Sequence, residues 1–455
     1  MGAGSAADSA ARIRHAARLR GEVRLPGDKS ISHRALIMAA LAEGESLIEG
    51  AGDGADVRST AGIVEALGAS VERVRDDGRS VDYRVISPGA DGLRAPAALL
   101  DCGNSGTSLR LVAGTIAGLP LKGVLDGDDS LRRRPVARII EPLRSMGAVL
   151  QASDDDSHPP LTVVGATPLR PIDYRTPVPS AQVKSAILLA GLRAEGRTTV
   201  REAVATRDHT ERMLRARGIP VERLDGSDGV AWTVEGGRTV RAIEERVPGD
   251  ASAAAFWLVA AAIHEDAELT IRDVGVNPTR RAVIDVLRAM GAQIEERPVA
   301  SADGAAEPGA EDVGEPRADL TVRTSELRAV ELGPAEVAAA IDEIPILCLA
   351  ATQARGTTVI RGATELRHKE SDRIAGIAAG LDALGARIRV EGDDLHIHGR
   401  TRLRGSATDS LDDHRLAMTF AIAGLIADGE TSVGRPASAG ISYPGFFGEL
   451  ERIGA

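Results

Sequence analysis

The sequence predicts an α/β (α+β) protein of two pseudo-three-fold domains, built from six repeated helix-strand-helix-strand-pair units with buried inner helices. Three observations predict it. A helix-ending Gly-Ala or Gly-Ile signature recurs six times, at Gly68, Gly147, Gly218, Gly291, Gly385 and Gly454. Each copy follows an amphipathic helical run such as VARIIEPLRSM or TRRAVIDVLRAM. Upstream of each lies a second helical run that is apolar nearly all round: HRALIMAALA, SLRLVAGTIAG, VKSAILLAGL, AAAFWLVAAAI, PILCLAA and RLAMTFAIAGLIA.

Each element has a physical reason. Glycine just past a helix end adopts positive φ without a Cβ clash, so the signature marks where the outer helix stops. A two-faced run lies half-exposed on a surface, whereas one that is apolar on every side must be buried on every side. Stretches between the two helices, such as TTVRE, LTIRD and TTVIR, read as strands, and ARIRVEGDDLHIHG alternates as a strand pair. Units one to three and four to six then form the two domains. The signature glycines stand 79, 71, 73, 94 and 69 residues apart. The wide gap contains SADGAAEPGAEDVGEPRAD, residues 301 to 319, which is poor in large apolar residues and reads as a flexible hairpin insertion without assigned function.

The sixth unit stops at Ala455 without its strand pair, and residues 11 to 26 (ARIRHAARLRGEVRLP) carry the pattern of that missing pair. The expected organisation is a disordered tail over 1–10, a C-terminal domain of 11–27 plus 248–455 and an N-terminal domain of 28–247. The active site is expected in the cleft between the domains. The chain then crosses between them near Pro26-Gly27-Asp28 and Pro248-Gly249-Asp250, two natural hinges.

Composition narrows the function. A chain of 455 residues, 43% hydrophobic, can bury more than one core. No run of about 18 apolar residues occurs and MGAGSAADSAARIR lacks the apolar stretch of a secretory signal, so a cytoplasmic chain with no membrane partner is expected. Cys102 and Cys348 adjoin apolar runs and read as buried small hydrophobes, leaving no basis for a disulfide framework or a metal site. The net charge of -11 argues against nucleic acid as a partner, although Arg132, Arg133 and Arg134 can form a local basic pocket. Only four of the 55 basic residues are lysine: Lys29, Lys122, Lys184 and Lys369. A lysine kept against such a bias is a candidate for work that needs a compact ammonium rather than a planar guanidinium.

Polar segments introduce the buried helices: PGDKSISHR, DCGNSGT, PSAQVKS, PGDAS, IDEIP and LDDHR. At helix N-termini the free N–H groups and the dipole favour anions, although Ser, Asp and Asn also serve there simply as caps. PGDAS has no basic residue and reads as cap and hinge alone. Lys29, Ser30 and Arg34 share one helix start and suit a phosphate or carboxylate. The segment is not a Walker P-loop, because Asp28 rather than glycine precedes Lys29. No cofactor motif is present.

LPGDKSISHRALIMAALAEG, DCGNSGTSLR, RRRP, PSAQVKSAILLAGL, LRHKESDRI and DDHRLAMTFAIAGL together resemble the ordered signature segments of 5-enolpyruvylshikimate-3-phosphate synthases, from about residue 19 onward. The resemblance implies transfer of the enolpyruvyl (carboxyvinyl) group of phosphoenolpyruvate to the 5-hydroxyl of shikimate 3-phosphate, with release of phosphate, in the shikimate pathway. It implies that Lys29, Ser30, Arg34, Ser180, Ala181, Gln182, Arg207, Asp342 and Lys369 hold shikimate 3-phosphate. Phosphoenolpyruvate is implied at Lys29, Asn104, Gly106, Thr107, Arg134, Gln182, Arg373 and Arg415, where guanidinium forks suit a carboxylate and a phosphate. Asp342 is implied as the base for the 5-hydroxyl, with Glu370 and Lys29 exchanging protons with phosphoenolpyruvate. Taken alone, Asp342 could be a helix cap and Glu370 a surface charge. Arg110 is given a structural role, and Gly106 is expected to leave the pocket open for glyphosate, the inhibitor the resemblance places there. The expected protein is a monomer without cofactor.

Two departures from the family pattern stand out. The stretch AGISYPGFF, with Ile441, Ser442 and Tyr443, has no lysine where many members contact phosphoenolpyruvate, and Ala181 stands where others have serine. The rival UDP-N-acetylglucosamine enolpyruvyl transferases carry a reactive cysteine in the loop that here reads DGDDSLRRRP. A non-catalytic anion-binding or RNA-end-processing protein of similar units is a further alternative.

Overall fold

A computed structural model describes residues 10–299 and 313–454. Nine residues of the expected tail and residues 301–312 of the expected insertion lie outside the described residues. The chain divides into two compact units. Among the described residues, the N-terminal unit comprises Gly27–Val247, and the C-terminal unit comprises those up to Pro26 together with those from Pro248 onward, save one short interruption. That interruption corrects the expected boundaries. Residues 313–315 belong with the N-terminal unit, where the Glu315 carboxylate meets His209 Nδ1 at 2.7 Å.

In the N-terminal unit the inner helices are Lys29–Leu41, Gly106–Ala117 and Ala181–Gly191. The first is followed by the strand Glu43–Gly52, the outer helix Ala55–Ala66 and the strand pair Ser70–Asp76 and Ser80–Pro88. Glu43–Gly52 lies antiparallel to Ser80–Pro88, which pairs in turn with Ser70–Asp76, and the short strand Glu244–Arg246 runs parallel on the other edge. The second and third sheets repeat this order, with Leu100–Asp101 and Asp173–Arg175 as their short parallel edges. The second outer helix, Ala137–Met146, buries Ile139, Ile140, Leu143 and Met146 and exposes Arg138, Glu141 and Arg144, as its two-faced sequence requires. Gly114 permits a close approach of two inner helices: a Cβ there would lie 2.3 Å from the carbonyl oxygen of Ala186.

The C-terminal unit uses the inner helices Ala251–Ile263, Ile344–Gln353 and His414–Gly424. Phe256, Trp257 and Leu258 are buried to 2% exposure or less. Burying side chains of this kind stabilises by about 1.5–3 kcal/mol each, and the Trp257 indole N–H still finds the Tyr443 hydroxyl at 3.1 Å. Two four-stranded sheets and one three-stranded sheet cover these helices.

The N-terminal strands differ from the expected pair. Only Ala11–Arg14 joins the sixth unit, antiparallel to Glu430–Gly434, so that sheet keeps three strands. Leu19–Arg24 instead runs parallel to Ala267–Gly275 and buries Leu19 and Val23 completely. The reason lies in the repeat, since five of the inner helices follow a short strand that forms the parallel edge of a sheet. Leu19–Arg24 is that strand for Lys29–Leu41, so it is an edge strand and not half of a hairpin. Five of the signature glycines have φ between 79° and 111°, as a helix stop demands, while the sixth, Gly454, is still inside the last helix, Phe446–Gly454.

Candidate active site

In the N-terminal unit the predicted residues gather at the starts of the inner helices. Asp28 caps the first, accepting from the Ile31 amide at 3.0 Å, and the next residue, Lys29, places its ammonium 3.1 Å from the nearly buried Asp56 carboxylate. Arg34, one turn further, is held on three sides: Nε donates to Thr210 at 2.8 Å, Nη1 to the Ser30 carbonyl at 2.9 Å and Nη2 to Ser185 at 2.9 Å. Burial pulls its pKa down to about 10, with the neighbouring Arg207 charge acting in the same direction against Glu211 and Asp28, so it remains a cation at neutral pH.

Ser105 caps the second helix and Ser180 the third, and both starts meet one hydrogen-bonded row. Gln182 donates to the Thr107 hydroxyl at 2.9 Å and accepts from Arg110 Nη1 at 2.6 Å. Arg134 donates to the Asn104 side-chain oxygen at 2.7 Å, and Asn104 donates to Asp128 at 2.9 Å. Ala181 opens the third helix beside these groups.

Arg110 holds Gln182 in orientation and also donates to the Pro135 carbonyl at 3.0 Å, in keeping with the structural role expected of it. A Cβ at Gly106 would lie 2.7 Å from Arg110 Nη1 and 3.6 Å from Arg134 Nη1. Lys184, despite its place in the signature segment, turns inward, and its side chain is fully buried between Glu202 at 2.8 Å and Glu211 at 2.9 Å.

In the C-terminal unit one carboxylate gathers three cations. Asp342 lies 3.5 Å from Lys369 Nζ, 3.7 Å from Arg373 Nη1 and 3.9 Å from Arg415 Nη2. Arg373 also donates to Asp413 at 2.7 Å and to Glu370 at 2.5 Å, which ties Glu370 to the same cluster. Burial opposes the Arg373 cation, but Glu370, Asp413 and Asp342 outweigh it and hold its pKa above the ordinary value. Asp413 is fully buried, which opposes its charge, yet Arg373 and His414 draw it below the usual carboxylate range, and it caps its helix through the Arg415 amide at 2.9 Å. Asp342 is not a cap, since Glu343 holds that position and makes no side-chain cap bond.

Sequence reasoning missed a second layer beneath Arg415. The Ser252 hydroxyl donates to Glu343 and accepts from Arg280 Nη2 at 2.6 Å, and Glu343 lies 3.9 Å from Arg415 Nη1. The PGDAS segment, read as cap and hinge, does cap its helix through Asp250, but its serine also takes part in this layer. Only the acid in IDEIP directly after Asp342 could have signalled it.

Cations on helix starts beside paired carboxylates equip an enzyme to bind small anions and move protons. Comparison with known proteins narrows this to one class. The family model described as EPSP synthase (3-phosphoshikimate 1-carboxyvinyltransferase) matches residues 13–450. A 3-phosphoshikimate 1-carboxyvinyltransferase of Gloeobacter violaceus is 51% identical over 442 residues, covering 97% of this chain and 98% of its own. One from Bacillus cereus is 44% identical over 435 residues, covering 96% and 97%. A solved structure of EPSP synthase from Acinetobacter baumannii superposes with a TM-score of 0.86 at 38% identity, covering 98% of each chain. The chain belongs to the EPSP synthase family.

Proposed function

We propose that the protein is a 3-phosphoshikimate 1-carboxyvinyltransferase, which moves the enolpyruvyl group of phosphoenolpyruvate onto the 5-hydroxyl of shikimate 3-phosphate and releases phosphate. The observation that carries the reading is Asp342 among Lys369, Arg373 and Arg415, with Glu370 tied to the same cluster. Asp342 takes the proton of the 5-hydroxyl as that oxygen attacks C2 of phosphoenolpyruvate, and Glu370 or Lys29 delivers a proton to C3. Phosphate then leaves C2 as C3 gives the proton back, which restores the C2–C3 double bond, now as an enol ether. The cations neutralise charge throughout.

Shikimate 3-phosphate is assigned to Lys29, Ser30, Arg34, Ser180, Ala181, Gln182, Arg207, Asp342 and Lys369. Phosphoenolpyruvate is assigned to Lys29, Asn104, Gly106, Thr107, Arg134, Gln182, Arg373 and Arg415, and Arg110 orients Gln182 between the two sets. No helix among the described residues is long and apolar enough to cross a membrane. We assign the protein to the cytoplasm as a monomer that needs no cofactor. A phosphate-release assay with both substrates, and with each alone, tests the reading. Release must require both, and release from phosphoenolpyruvate alone refutes it.

A further inference from the structure

Thr206 is fastened by all three of its polar groups to one buried ion pair. Its amide donates to Glu202 Oε2 at 3.4 Å, its carbonyl accepts from Lys184 Nζ at 3.4 Å and its hydroxyl donates to Glu202 Oε1. Lys184, Glu202 and Glu211 have no exposed side-chain surface, and the Trp232 ring lies 5.1 Å from the ammonium. Burial works against the Lys184 cation, but Glu211 and Glu202 outweigh it and keep it charged.

A buried ion cluster is a poor device for stability alone, because apolar side chains of the same volume commonly do as well or better. Its use here lies in what it holds. Residues 203–205, Ala-Val-Ala, are exposed and have no side chain able to form a hydrogen bond. The turn is therefore fixed through Thr206, and the next residue is Arg207. Ser185, the neighbour of Lys184 on the same helix, accepts from Arg34 at 2.9 Å, so one turn of helix bears on Arg34 and Arg207, two of the four cations assigned to shikimate 3-phosphate.

We infer that Lys184, Glu202 and Thr206 are positioning residues that set Arg207 for the shikimate 3-phosphate anion. The inference rests on the assignment of Arg207 made above. It explains why a lysine persists here in an arginine-rich chain: a compact ammonium reaches two carboxylates and a carbonyl from one point, which a planar fork does not.

Steady-state kinetics on Thr206→Val, Thr206→Ala, Thr206→Ser, Arg207→Ala and the Thr206→Val/Arg207→Ala double variant test it. Thr206→Val and Thr206→Ala should both raise KM for shikimate 3-phosphate about tenfold, the scale of one charge-assisted hydrogen bond. Their kcat and KM for phosphoenolpyruvate should stay near wild type, and Thr206→Ser should restore normal kinetics. The double variant should bind no worse than Arg207→Ala. If Arg207→Ala weakens shikimate 3-phosphate while both hydroxyl-deleting variants leave it unchanged, the positioning role is overturned and the assignment of Arg207 stands. Additive losses in the double variant, or a fall in kcat that tracks thermal stability, also overturn it. If Arg207→Ala changes nothing, the assignment falls and the inference with it.

Discussion

Replacing Gly106 with alanine puts a methyl group against Arg110. The added carbon would lie 2.7 Å from Nη1, and ordinary contact begins at 3.4 Å, so the guanidinium must retreat by about 0.7 Å. That same nitrogen donates to Gln182 Oε1 at 2.6 Å, and a retreat of this size breaks or badly bends the bond. A hydrogen bond to a charged group is worth about 1.5–3 kcal/mol net, or about ten- to hundredfold in binding. Because the end of a long side chain can swing aside, the lower figure is expected, with KM for phosphoenolpyruvate about tenfold higher. The assay is a set of steady-state constants for Gly106→Ala, Arg110→Ala and the double variant, with the glyphosate inhibition constant measured alongside. The two substitutions break the same link, so the double variant should be no worse than the poorer single one. The inhibition constant should rise more than KM, since the longer inhibitor has less room to shift. Unchanged constants in Gly106→Ala, or fully additive losses, would refute the route through Arg110.

Asp342→Ala should lower kcat by about 10²- to 10⁴-fold while changing substrate affinity far less, and near-normal turnover removes Asp342 from the mechanism. Lys29→Arg should be severely impaired despite keeping its charge, because the reach to Asp56 and to substrate is that of an ammonium; wild-type kcat/KM would contradict this. Gly114→Ala drives a methyl into the Ala186 backbone, which cannot swing aside, and should cost about 1–3 kcal/mol, read as a lower urea midpoint. His33 is fully buried, with Nδ1 2.7 Å from the Thr60 hydroxyl, and burial lowers its pKa to about 3. Between the unfolded value near 6.5 and that figure the unfolded chain binds the extra proton, so stability falls as pH falls, by up to about 1.4 kcal/mol per unit. Urea midpoints at pH 7, 6 and 5 should fall less steeply in His33→Gln than in wild type, and parallel slopes would count against the argument.

The inner helices were legible because an all-round apolar run has only one place to go, and AAAFWLVAAAI is buried from Ala253 to Ala262. Short edge strands were not legible. Leu100–Asp101 and Glu331–Leu332 have two residues each, too few to show a period, so the partner of Leu19–Arg24 could not be read from its own pattern. At the candidate site the signature segments brought out the residues that point to anions. They did not bring out which groups the supporting residues hold. Arg110 reaches Gln182 across 72 positions, and Ser252 reaches Glu343 across 91, through contacts that exist only once the helices have packed. Lys184 shows the limit most clearly, for its rarity marked it as special while its direction depended on Glu202 and Glu211, two glutamates with no signature of their own.

The route of the N-terminal strands bears on how the protein is made. The apolar core of the N-terminal unit is drawn from Ile31 to Val247, so it can be filled as these residues leave the ribosome. Ala11 to Arg14 pair with Val433 to Glu430, and Leu19–Arg24 pairs with Ala267–Gly275. At about 5–20 residues per second, a separation of some 400 residues leaves the first strand without its partner for about 20–80 s. During that time its unpaired edge is open to other chains. Arg12 and Arg14, exposed in the folded protein, also charge that edge while it waits.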